Sequence, residues 1–203
     1  MRKPFVPLLF LALLASASLA RAEQTQTQAK DKTPPSYDLK PQSLLDLETM
    51  QQKFVSLAEA IPPDKLTWRP SSDARSFAEV LLHVSGERYQ ILHLMGTPLP
   101  EGFDGKTYEK STTDKARIIE QLNQSWEYAK SAISGMRNAD FANPQPKLGP
   151  EANSGDVVYI LVADAHEHLG QSIAYARMNG IVPPWTVAAQ KTAAEKKDQP
   201  EKQ

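Results

Sequence analysis

The chain has 203 residues, 40% hydrophobic, 23% charged and 7% aromatic, the composition of an ordinary globular domain rather than a fibre or a disordered tail. Lys plus Arg number 23 against 24 Asp plus Glu, a net charge of -1, so no field gathers nucleic acid or anionic lipid. Cysteine is absent, which excludes disulfides, iron–sulfur clusters, Cys-type zinc sites and a protein thiol nucleophile.

In chain order, Arg2 and Lys3 precede an apolar run from Phe5 to Leu14 and then the triplet Ala20-Arg21-Ala22. These are the parts of a secretory signal over residues 1–22, with cleavage expected after Ala22. The run falls short of the roughly 20 residues needed to span a bilayer, so no stable membrane anchor is expected after cleavage. With no Cys for a lipid, the expected compartment is the periplasm or the exterior. Residues 23–40 carry almost no apolar side chains and read as a disordered linker. The folded part is expected over 41–187, with 188–203 as a frayed tail.

Four amphipathic segments fill the folded part. The first follows Pro41, with Leu44, Leu47, Met50, Phe54, Leu57 and Ala58 at helical spacing and a stop at Pro62-Pro63. The second opens on a capping box, Ser76 and Glu79, and runs toward Gly96. The third begins near Thr112 or Thr113 and ends about Met136; the fourth runs from Ser154 to Asn179-Gly180. Each has one apolar stripe, and burying four of them together gives an all-α four-helix bundle. The loop between Asn138 and Asn153 reads as a connection rather than a cover for the bundle mouth.

Helical geometry sorts the four histidines. His166 and His168 lie roughly 200° apart on one helix, so they do not both face inward, and His166 is expected outside. Asp164, His168, Gln171 and Tyr175 form one polar line, and His83, Glu87 and Gln90 form another. His93 is turned about 80° from His83 and is expected outside the site. Lone histidines beside an apolar face are more often structural than ligating. Two such lines on facing helices nevertheless suit a metal held by His83, Asp164 and His168: zinc, nickel or ferrous iron with open positions. Such a metal would activate a water, thiol or hydroxyl, with Glu87 as proton acceptor or orienter and Gln171 holding a ligand or the bound water. The string from His166 to Gly170 is not HExxH, no Glu-x-x-His pair is present, and there is no P-loop, dinucleotide signature or GxSxG elbow.

Three segments carry a resemblance: SFAEVLLHV around Phe77–His83, His168-Leu169-Gly170-Gln171 continuing to Arg177-Met178-Asn179-Gly180-Ile181-Val182-Pro183-Pro184, and the lead-in Leu66-Thr67-Trp68-Arg69-Pro70. The chain resembles the DinB/YfiT-like superfamily of metalloenzymes over nearly all of 41–187. The resemblance implies a four-helix bundle holding a divalent metal, usually zinc or nickel, by three histidines. One would come from the second helix and two, four residues apart, from the fourth. They fall on His83, Asp164 and His168, so an Asp stands where the pattern has a His. Some members transfer low-molecular-weight thiols or isomerise thiol adducts, and members often dimerise. The resulting expectation is an exported metal-dependent transferase or hydrolase acting on a small-molecule substrate, with a homodimer as its only expected protein partner. A non-catalytic periplasmic binding or stress protein, and a purely structural bundle, are the alternatives.

Overall fold

The computed structural model describes residues 38–197, and the expected signal, cleavage site and most of the linker lie outside them. Five helices follow in order: α1 (Leu39–Ala60), α2 (Phe77–His93), α3 (Lys115–Gly135), α4 (Ser154–Met178) and α5 (Pro184–Lys197). Short 3-10 turns lie at Pro63–Lys65, Tyr108–Lys110 and Asn138–Ala142.

Each of the first four helices packs on two others, α1 and α2 both lying against α3 and α4. Their directions follow from the ends. Lys40, in the first turn of α1, donates to the carbonyls of Ser134 and Met136 at the end of α3, at 2.7 and 2.6 Å. Lys115, in the first turn of α3, donates to the carbonyl of Glu59 at the end of α1, at 2.9 Å. Those carbonyls lack partners within their own helices, so each lysine satisfies its neighbour's C-terminus and fixes the two as antiparallel. Tyr175 near the end of α4 touches Arg75 just before α2, so that pair is antiparallel too. Leu39 lies against Gly155, which places the starts of α1 and α4 side by side. It follows that α2 and α3 run parallel, and parallel neighbours need a long connection. Residues 94–114 supply it.

The core is the shared interior of these four helices, with Phe54, Leu57, Phe77, Leu81, Leu82, Ile118 and Leu122 all fully buried. The all-α bundle expected from the stripes is therefore present, with differences at the ends. The last two residues of the expected linker, Leu39 and Lys40, are already helical. The start of α3 lies later than Thr112 or Thr113, because the Asp114 carboxylate accepts the Arg117 N–H at 2.9 Å and takes the capping position. The expected frayed tail is helical to Lys197. Pro184 opens α5 at a position where proline fits, and Ala, Gln, Lys and Glu carry the helix by intrinsic propensity. Trp185 anchors it against the core, with the Lys53 ammonium 5.7 Å from its ring centre. The 138–153 segment is a connection seated on the start of α4: the Ser154 N–H donates to the Asn143 carbonyl, and the Gln145 N–H to that of Ala152. No helix among the described residues is long and apolar enough to cross a membrane.

Candidate metal centre

The centre lies between α2 and α4, and the start of each is fixed by a capping box. Ser76 accepts the Glu79 N–H while the Glu79 carboxylate accepts the Ser76 N–H; Asn153 and Asp156 do the same on α4. From those starts, buried Val80 and Val84 fix the inward face of α2, and Leu161, Ala165 and Leu169 that of α4. His83 and His168 then meet edge to face, with ring centres 4.6 Å apart and planes at 85°. Antiparallel packing brings Asp164 to the same place, one turn before His168.

One donor atom from each of His83, Asp164 and His168 lies within 4.8 Å of the others. His168 Nε2 is 3.3 Å from Asp164 Oδ1. That spacing is near the edge of a tetrahedron with metal bonds of about 2.0 Å, and two imidazoles with a carboxylate are donors suited to zinc, nickel or ferrous iron. The residues thus fit a divalent metal.

Behind these donors runs a chain of hydrogen bonds. His168 Nδ1 lies 2.9 Å from Gln171 Oε1, the Gln171 amide donates to the Tyr175 hydroxyl at 3.1 Å, and that hydroxyl donates to the Arg75 carbonyl at 3.2 Å. The side chain of Arg75 continues the path: its Nε donates to Glu109 Oε2 at 2.8 Å, and the same carboxylate oxygen is 3.3 Å from His83 Nδ1. The two histidines are therefore joined through Gln171, Tyr175, Arg75 and Glu109. His168 has its Nδ1 hydrogen-bonded to Gln171, and His83 has its Nδ1 beside the Glu109 carboxylate. Outer partners of this kind orient metal-binding imidazoles and fix their tautomers.

The polar seam read from α4, Asp164 through Tyr175, is thus a connected line. Gln171 has its carbonyl on His168 and its amide on Tyr175, so it orients one of the three candidate ligands. Glu87 approaches His83 Nδ1 at 3.9 Å. His93 and His166 are exposed and stand apart from the centre, as their helical angles require. Arg75 and Glu109 were not singled out from the sequence. Each lies in a connection without periodicity, and Glu109 reaches His83 because Tyr108 packs on Gly86, where a Cβ would come within 3.2 Å of its ring.

Electrostatics separates the two imidazoles. Burial, then the Arg75 guanidinium and His168, hold His83 below the ordinary histidine range, against the pull of Asp164 and Glu109. His168 is raised, first by its hydrogen bond to Asp164 and also by Gln171, against the effect of burial. Burial, with Asp164 beside it, raises the Glu87 carboxyl. The two imidazoles of one small volume are accordingly shifted in opposite directions.

The fold is a helical bundle carrying a candidate His–Asp–His metal site. Residues 46–172 match the family model of the DinB superfamily, and the chain belongs to that superfamily. No curated protein matches the chain.

Proposed function

We propose that this protein is an exported, divalent-metal-dependent enzyme with transferase or hydrolase chemistry on a small molecule, thiol transfer being one reaction that fits. The observation that carries the reading is the convergence of His83, Asp164 and His168 within 4.8 Å. Zinc or nickel suits the donors best, with iron next. When bound, the metal supplies Lewis-acid polarisation of a reacting group.

The chain's own residues do the rest. Asp164 and the Nε2 of His168 face the metal position, while Gln171 and Tyr175 keep the Nδ1 side of His168 occupied. Glu109, held by Arg75, places a carboxylate oxygen 3.3 Å from the Nδ1 of His83. Glu87 is the group available to hold a proton beside the centre, and its raised carboxyl moves toward the range useful for proton transfer near neutrality. Export rests on Arg2, Lys3, the Phe5–Leu14 run and Ala20-Arg21-Ala22. N-terminal sequencing of the protein recovered from the periplasm or medium tests it, with Glu23 expected first.

The deciding experiment is elemental analysis of the chain from residue 23, purified without chelator or affinity tag, beside His83→Ala and His168→Ala. Near one zinc, nickel or iron per chain, lost in both variants while helicity stays, is expected. A wild type that takes up none of these ions on reloading overturns the reading and leaves a binding or structural bundle.

A further inference from the structure

A cleft of about 490 Å³ opens along the C-terminal half of α2, under the connection to α3. Small-molecule sites span about 300–1,000 Å³, so it has room for a ligand. Its apolar lining comes from Ile91, Leu94, Leu99 and Phe103. Its ionisable lining among the described residues is Glu87, His93 and Asp104, with no lysine or arginine among them. His93 Nδ1 lies 2.9 Å from the Thr97 carbonyl, which only accepts, so that nitrogen is the donor and Nε2 is left without that partner. Asp104 is fixed in place, accepting the Lys106 N–H and the Thr107 hydroxyl at 3.0 and 2.9 Å. The cleft therefore offers an apolar wall with acceptors and acids. An anion is repelled there, whereas an apolar body bearing N–H donors or positive charge is matched.

The cleft adjoins the metal centre. Glu87 lines it and also lies 3.9 Å from His83 Nδ1. Gln90 and Gly105 line both the cleft and a small cavity of about 10 Å³ against His83, Tyr108 and Glu109. A Cβ on Gly105 would fall 2.8 Å from Gln90 Oε1, so glycine is what lets the connection close down on Gln90. Gln90 and Gly105 are the residues common to the two spaces.

We infer that this cleft, which borders the His83 side of the centre, is the subsite for the non-reacting part of the substrate, and that the substrate is a primary amine with an apolar body. The inference rests on the metal-enzyme reading for the reaction, but the binding itself needs no metal. The amine's N–H groups meet the Glu87 and Asp104 carboxylates, and its body lies on Leu94, Leu99 and Phe103. A carboxylate of the same shape meets the same two acids and is excluded.

The test uses two probes of like size and opposite charge, 2-phenylethylamine and 3-phenylpropionate, titrated calorimetrically into the whole chain. The amine is expected to bind at least about tenfold more tightly than the acid. Leu94→Trp, which fills the cleft, and Asp104→Asn should each weaken the amine about fivefold or more, with melting curves showing that both remain folded. Equal binding of the two probes, no amine binding, or full binding to Leu94→Trp overturns the inference whatever the metal content. A metal-free wild type that still prefers the amine supports the subsite and separates its success from failure of the metal reading.

Discussion

The Tyr175 hydroxyl lies 3.2 Å from the Arg75 carbonyl oxygen, and that contact sets the direction of every bond up to His168. A carbonyl only accepts, so Tyr175 donates to it and must accept from Gln171, whose amide nitrogen lies 3.1 Å away. Gln171 then presents its oxygen to His168 Nδ1, which must carry the proton. The lone pair of the neutral ring is thereby assigned to Nε2, on the Asp164 side. Tyr175→Phe removes the anchor but leaves the ring, which packs edge-on to Trp68 and Phe77. Metal affinity, measured by competition with a chromophoric chelator, should fall about tenfold or more with little change in melting temperature. Unchanged affinity would show that the chain does not orient His168.

Asp164 is the carboxylate among the three converging candidate donors. Asp164→Ala should lose metal nearly as completely as His168→Ala, since it deletes one of those three. Asp164→His should retain near one equivalent, because position 164 already faces His168 from one helical turn away. The same substitution removes the carboxylate that raises His168, so His168 should titrate at lower pH in the apoprotein. Elemental analysis reads the first two outcomes and histidine NMR titration the third. Asp164→Ala binding a full equivalent would remove Asp164 from the ligand set.

Residues placed by helical periodicity were legible in the sequence, and those placed by packing were not. Asp164, His168, Gln171 and Tyr175 recur at three and four residues, so their shared face follows from 3.6 residues per turn. His83 followed because the Ser76–Glu79 box fixes the phase of α2 against its apolar stripe. Arg75 and Glu109 gave no such signal. Their positions depend on how the connections fold across α2, which only the Tyr108–Gly86 contact and the Arg75–Glu109 pair decide. The helix α5 was hidden for another reason: a polar composition suggests disorder, yet alanine, glutamine, glutamate and lysine also favour a helix once Trp185 anchors it.

The capping box of α2 should make stability depend on acid pH. Burial alone would raise the Glu79 carboxyl, but the Ser76 N–H at 2.6 Å and the Arg69 guanidinium at 3.2 Å outweigh it and hold the group below its ordinary value. A carboxyl depressed in the folded state stabilises above its unfolded pKa, about 4.3, and that contribution is lost as pH falls through the folded value. Glu79→Gln should therefore be less stable than wild type near neutrality, and the difference should shrink toward about pH 3. Ser76→Ala should cost about 1 kcal/mol near neutrality by removing the cap to the Glu79 N–H. Urea denaturation across this pH range is the measurement, and a pH-independent Glu79→Gln penalty would contradict it.

Arg88 is a charge at 1% exposure in the middle of the bundle. Its Nη1 donates to Gln51 Oε1 at 2.7 Å, to the Leu122 carbonyl at 3.0 Å and to Ser125 Oγ at 3.1 Å, which ties α2 to α1 and α3. Its Nε and Nη2 have no hydrogen-bond partner among the described residues, and burial pushes its pKa down to about 10. Three of the guanidinium's five N–H donors are therefore desolvated without return, and a long apolar side chain would avoid that penalty. Arg88→Met alone strands Gln51 Oε1, so it should destabilise by about 1–3 kcal/mol. Arg88→Met with Gln51→Leu removes both halves of the pair and should recover most of that loss or exceed the wild type, provided Asn123, the other partner of Gln51, turns to solvent. Chemical denaturation of the two single variants and the double variant closes the cycle. A double variant as unstable as the sum of the singles would show that the arginine holds three helices in register through contacts that apolar packing does not replace.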